Sequence, residues 1–154
     1  MKKVMLDTNV YCRPYDDIED SEILRESIAI FKIMKLAINN QIEIITSDLL
    51  IEELKFIENQ IKRNAILAHA QLLSTIRLKI DSSVIKLADR LETFIKDYAD
   101  ALHLSVAAHG ECSFFITCDN ELIKKADKIE RFLISQKYTL SIINPRKFVE
   151  DEKQ

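Results

Sequence analysis

The chain has 154 residues, 47% of them hydrophobic and 31% charged, and carries a formal net charge of −3. That balance fits one soluble folded domain with a real core, and argues against a disordered chain or a strongly basic nucleic-acid module. No apolar run reaches the ~20 residues of a membrane span, and the only glycine, Gly110, is too few for the phosphate-cradling loops of P-loop or dinucleotide folds.

In chain order, Val4-Met5-Leu6 is a short apolar run that ends abruptly on Asp7, Thr8 and Asn9. This predicts a buried strand closed by residues that bond their own backbone. A polar loop follows from Arg13 to Asp20. Ile23, Leu24, Ile28, Phe31, Met34 and Ile38 at helical spacing predict a helix from Ser21 to Asn39. Ile30, Ile33 and Leu36 widen its apolar face beyond one stripe, as in a broadly buried helix or in one that also meets a partner chain. Residues 41–46 read as a strand by their β-branched content, and a helix opens at Ser47 or Asp48 and runs toward Asn59. A further helix spans Ile61 to Ile76, and residues 77–80 form an extended segment or a linker.

Asp81 begins an N-cap for a helix through Lys96, and another helix spans Tyr98 to Ala108 and stops at Gly110. Phe114 to Thr117 is a compact strand that closes on Cys118-Asp119-Asn120. A short helix to Ala126 follows, and Tyr138 to Ile143 is the last strand, before Pro145. Strands alternating with helices imply a parallel sheet covered on both faces, in a single α/β domain. Cys12, Cys112 and Cys118 form no C-x-x-C and read as reduced thiols. The opening lacks the apolar core and cleavage site of a signal peptide, so the expected compartment is the cytoplasm.

Most acids have ordinary surface explanations, and the informative ones emerge from register. Glu53 shares a helix face with Leu49, Leu50, Phe56 and Ile57, whereas Glu52 neighbours Asp48 and Lys55. Asp100 aligns with Leu104, Ala107 and Ala108. A buried, unpaired carboxylate costs several kcal/mol or shifts its pKa until neutral, so such placements need a reason. His103 reads as a packed core histidine. Asp7 and Asp119 each close a buried strand, where parallel sheets gather ligands. Four carboxylates at one sheet edge repel one another unless a cation sits among them. Hard oxygen ligands select Mg²⁺ or Mn²⁺, and phosphodiester cleavage is the chemistry that suits them.

With those positions in hand, the sequence resembles the PIN-domain family of nucleases. The matching pieces are Leu6-Asp7-Thr8-Asn9-Val10, Ser47 through Glu53-Leu54, Asp100-Ala101-Leu102-His103-Leu104 with Ala107 and Ala108, and Ile116-Thr117-Cys118-Asp119. The resemblance implies a three-layer α/β/α sandwich, an acidic quartet of Asp7, Glu53, Asp100 and Asp119 that binds Mg²⁺ or Mn²⁺, and hydrolysis of RNA by activated water. Thr8, Asn9 and Thr117 are then groups that hold the acids in place. Asn120, at the next position, replaces a further acid of many members, which bears on a second metal. Arg13, Lys124 and Lys125 are the cations placed to meet RNA phosphates. The resemblance also implies a homodimer and, for VapC-type toxins, an antitoxin partner. The alternative reading is a PIN-like domain that binds RNA or protein without cutting.

Overall fold

The computed structural model describes residues 1–153. Five strands, β1 (Lys2–Leu6), β2 (Ile42–Ser47), β3 (Ser74–Leu78), β4 (Phe114–Ile116) and β5 (Ser141–Ile143), form one sheet in the order β3-β2-β1-β4-β5. Every strand pair is parallel. Parallel neighbours need crossovers, and the helices supply them. α1 (Thr8–Cys12), a 3₁₀ turn (Arg13–Tyr15) and α2 (Ser21–Ile38) lead from β1 to β2, and α3 (Asp48–Lys55) and α4 (Gln60–Leu73) lead to β3. From β3, α5 (Ser82–Leu91) and α6 (Tyr98–His109) return to β4, α7 (Asn120–Lys124) and α8 (Ala126–Ser135) connect to β5, and α9 (Pro145–Glu152) closes the fold.

Because strand side chains alternate between faces, β1 feeds two cores. Val4 and Leu6 join Ile42, Ile44 and Ile116 against α1 to α4 and α9. Met5 joins Ile45, Phe115 and Ile142 against α5, α6 and α8. The result is the three-layer α/β/α sandwich.

Several element boundaries differ from the sequence expectation, for physical reasons. The chain leaves α4 at Leu73, three residues before Ile76, and enters β3 at Ser74, so of residues 77–80, read as an extended segment or a linker, Arg77 and Leu78 are extended and end an edge strand. The helix capped by Asp81 stops at Leu91, and the last strand is confined to Ser141–Ile143. α1, α8 and α9 are additions. α1 has too few residues to show a period, but α9 had legible signals, an Asn144 cap whose side chain accepts from Arg146 N and Pro145 in the first turn. Gly110 ends α6 at φ −76, and it is Glu111 that takes the left-handed turn, at φ 57. What Gly110 provides is space, since a Cβ there would lie 2.5 Å from Leu78 Cδ1.

α2 also departs from expectation, because the buried side is the set read as a widening. Ile30 and Ile33 are fully buried and Met34 nearly so, whereas Leu24, Ile28, Phe31 and Ile38 are 41 to 68% exposed.

Candidate active site

The sheet order reverses direction between β1 and β4, and such a switch point opens a crevice at the strands' carboxyl ends. Leu6 pairs with Ile116 there, and Asp7 N donates to Ile116 O at 2.9 Å. Both strands stop because a capping residue follows. The Asp7 carboxylate accepts from Thr8 N at the start of α1, and the Asp119 carboxylate accepts from Glu121 N and Leu122 N at the start of α7.

Thr117 ties these two ends together. Its hydroxyl donates to Asp7 Oδ2 at 2.8 Å and accepts from Asp119 N at 3.0 Å. Asn9 adds a second clip, donating from Nδ2 to Asp7 Oδ2 at 3.1 Å and accepting at Oδ1 from Cys118 N at 2.9 Å. Asp7 is therefore held by groups from both strand ends while only 4% exposed. Burial raises its pKa and the nearby Glu53 adds to the rise, against the opposing pull of His103, Thr117 and Thr8 N.

Glu53 reaches the same neighbourhood from α3. Its Oε1 accepts from Thr8 Oγ1 at 2.6 Å and meets His103 Nε2 at 2.5 Å. Thr8 thus holds Asp7 with its backbone N–H and Glu53 with its hydroxyl. Glu52, one residue away, is exposed and pairs with Lys55 at 2.9 Å, which is the division the helical register predicts.

His103 is the residue whose part was missed. It is 2% exposed, as a core histidine would be. Its partner comes from 50 positions away, and no local pattern announces that. Burial is the largest single influence and pushes Glu53 up and His103 down, but their mutual hydrogen bond and charge attraction, with Thr8 acting on Glu53 and Asp7 and Asp100 acting on His103, together outweigh it, leaving Glu53 below and His103 above the ordinary value. His103 therefore contributes stability in full below about pH 6.5, and the contribution fades as pH rises through its elevated folded pKa. The Glu53 contribution is present above its ordinary pKa and fades as pH falls through its depressed one. Replacing His103 by leucine is expected to cost about 1–3 kcal/mol near pH 6, with the deficit shrinking toward pH 9. Urea unfolding of both proteins at the two pH values measures this; a deficit independent of pH would mean that packing, and not the charged pair, is what was lost.

Asp100, in the first turn of α6, is half-buried, and its carboxylate accepts no hydrogen bond among the described residues. Burial, then the charges of Asp7, Asp97 and Asp119, push its pKa to about 7. Asp100 and Asp119 line a cleft of about 390 Å³ with Lys96, Asp97, Glu121 and Lys125. Asp97 is the N-cap of α6, accepting from Ala99 N at 2.8 Å, and adds its charge to the cleft.

The four acids thus share one electrostatic neighbourhood, and of the four only Glu53 has an ionic partner among the described residues. They approach one another without a finished cage, since among the described residues no three His, Cys, Asp or Glu side chains are gathered closely enough to hold an ion. Their chemistry nevertheless fits a hard divalent cation: every donor is a carboxylate oxygen, and the Asp100 carboxyl is under a repulsion that positive charge relieves.

The remaining positions are placed as follows. Lys125 lines the acidic cleft, whereas Lys124 is exposed and pairs with Glu121 at 3.2 Å. Arg13 is engaged by Asp16 at 3.3 Å and by the buried Glu26 at 3.4 Å. Asn120 is exposed at the start of α7, and its side chain makes no hydrogen bond among the described residues.

No curated protein matches the chain. Among solved structures, a chain from the crystal structure of VapBC2 from Rickettsia felis, bound to a DNA fragment from their promoter, superposes with a TM-score of 0.61. The match covers 92% of this chain and 98% of that one at 17% identity, so the likeness is one of fold. The family model of the PIN domain matches residues 3–121, the segment that runs from β1 through the start of α7 and carries Asp7, Glu53, Asp100 and Asp119. A parallel sandwich with acids at its switch point, matched by that model over most of its length, belongs to the PIN-domain family, a family of nucleases.

Proposed function

We propose that the protein is a divalent-metal-dependent endoribonuclease, with Asp7, Glu53, Asp100 and Asp119 as the acids that hold Mg²⁺ or Mn²⁺. The observation that carries the reading is the half-buried Asp100 carboxyl, driven to about 7 by burial and by Asp7, Asp97 and Asp119, with no hydrogen-bond donor to relieve it among the described residues. Structural acids in this fold look different. Glu26, more deeply buried at 5% exposed, has Arg13 and a hydrogen bond from Asn144 Nδ2 at 2.9 Å.

A divalent ion supplies Lewis-acid polarisation of a phosphodiester and makes water a competent nucleophile near neutral pH. The protein's own residues supply position. Thr117 and Asn9 fix the Asp7 carboxylate, and Thr117 also anchors the backbone that carries Asp119. Thr8 and His103 fix Glu53. Such supporting bonds orient ligand carboxylates and tune their basicity. Lys125, with Lys96 beside it in the cleft, is placed to meet a substrate phosphate. With Asn120 exposed and unionised next to Asp119, the site favours one tightly held ion over two.

A cytoplasmic toxin restrained by an antitoxin is the biological setting we infer, with support from the fold shared with a chain of the VapBC2 assembly. Among the described residues, no helix is long and apolar enough to cross a membrane.

Cleavage of RNA with Mn²⁺ or Mg²⁺ titrated in tests the reading. Wild-type protein is expected to cleave only with metal, and Glu53→Gln to lose about tenfold or more, while Glu52→Gln stays near wild type. Metal-independent cleavage, or greater damage from Glu52→Gln, would overturn it.

A further inference from the structure

We propose that the end of the molecule remote from the acidic cleft binds a nucleotide through its terminal phosphate. Two cavities open there, of about 590 and 450 Å³, both within the size range of small-ligand sites. His109 and Tyr138 line both and form the wall they share. His109 is the last residue of α6 and Asp100 lies in its first turn, so about 13 Å of helix separates the two places. No lining residue is common to these cavities and the acidic cleft, so the site stands apart from the nuclease reading.

Hydrogen bonds fix the shared wall. Ser105 O can only accept, so His109 Nδ1 carries the proton that meets it at 3.0 Å, and in the neutral ring Nε2 then accepts from the Tyr138 hydroxyl at 3.1 Å. The two rings lie 5.1 Å apart, inclined by 44°. Both are partly exposed, so a base would meet an aromatic surface already held in place.

Charge defines the rest of the ligand. Lys86 and Arg90, one turn apart on α5, line the smaller cavity, and Lys137 lines the larger. All three are exposed and have no ionic partner among the described residues. Arg90 is oriented without being neutralised, since it donates from Nη1 to Gln136 Oε1 and lies over the Phe132 ring at 5.5 Å. Among the described residues no acid lines the smaller cavity, and Asp89, adjacent to Arg90, accepts from the Tyr98 hydroxyl at 2.8 Å. Guanidinium and ammonium donors at a concavity free of carboxylates suit a phosphate. The larger cavity differs, with Glu111 beside the hydroxyls of Ser113 and Thr139, a set of acceptors and donors that suits ribose hydroxyls. A formal net charge of −3 disfavours a long polyanion, whose binding draws on many cations, and favours one compact phosphate group.

Isothermal titration calorimetry of the full chain with AMP, in chelator so that divalent metal is absent, tests the site. AMP is expected to bind saturably in the millimolar range or tighter, and adenosine and inorganic phosphate each to bind about tenfold more weakly or less. Lys86→Gln with Arg90→Gln keeps both stems, and is expected to weaken AMP binding about tenfold or more while circular dichroism and Tm stay near wild type. Asp100→Asn and Asp119→Asn are expected to bind AMP as the wild type does. A short ribo-oligonucleotide with and without a terminal phosphate separates the two sources of this chemistry. Phosphate-dependent binding as tight as that of AMP assigns the site to RNA ends; failure of both oligonucleotides where AMP binds assigns it to free nucleotides. No binding of AMP, inorganic phosphate binding as tightly as AMP, indifference to Lys86→Gln with Arg90→Gln, or loss of AMP binding in Asp119→Asn would each overturn the proposal.

Discussion

Asp7→Asn and Asp119→Asn are each expected to abolish metal-dependent RNA cleavage, by roughly a hundredfold or more, since loss of a supporting group alone costs a metal site 10–100-fold. The Asp7 change isolates charge from shape. Asparagine fills the same volume, and its carbonyl can still accept from Thr117 or Thr8 N, so the junction of β1 and β4 persists. What disappears is a negative charge that burial and Glu53 disfavour. The variant is accordingly expected to fold, and to melt at or above the wild-type temperature without metal. Cleavage assays and thermal melts on the same preparation check both halves. Wild-type activity in Asp7→Asn would remove the acidic quartet from the chemistry. A large drop in Tm would mean that Asp7 is chiefly a structural cap.

The sequence exposes Asp7 and Asp119 because an apolar run that stops on an acid is a strand end whatever the rest of the chain does. Parallel strands of one sheet all end on the same side, so two such stops imply a shared edge. Glu53 is legible for a different reason: helical register is local, and it assigns Glu52 to Lys55 and Glu53 to the interior without knowledge of the partner.

What the sequence withholds is tertiary. His103 looks like any core histidine until Glu53 arrives from α3, and Arg13 looks like a free phosphate ligand until Asp16 and Glu26 engage it. On α2 the apolar residues exceed one stripe, and the sequence alone does not say which of two stripes faces the sheet. The packing of α2 against α9, with Ala29, Ile30 and Ile33 in the core they share with Phe148 and Val149, decides it. The stripe left outside is the more exposed and the more regular in spacing, which is why it looked like the core.

Without divalent metal, the stability of the protein is expected to fall as pH rises through neutrality, and Asp100→Asn to remove much of that fall. The sign follows from the direction of the shift. The Asp100 carboxyl titrates near 7 in the folded protein and at its ordinary value of 3.8 when unfolded. Between those limits the folded state binds more protons, so stability increases as pH is lowered through that window and is at its least above it. The full shift at 1.36 kcal/mol per pH unit is an upper bound, because Asp100 is half-exposed and solvent screens it; about 1–2 kcal/mol is the effect expected for Asp100→Asn at pH 8. Near pH 4 the variant and the wild type should coincide. A bound cation neutralises the same repulsion, so adding Mg²⁺ or Mn²⁺ at pH 8 should raise the wild-type Tm and raise that of Asp100→Asn less, and chelation should reverse the gain. Urea unfolding from pH 4 to 8, with and without metal, reads all of this at once. If Asp100→Asn is no more stable than wild type at pH 8, and metal shifts both equally, then the carboxylates around Asp100 do not act on one another and the common site dissolves into separate surface acids.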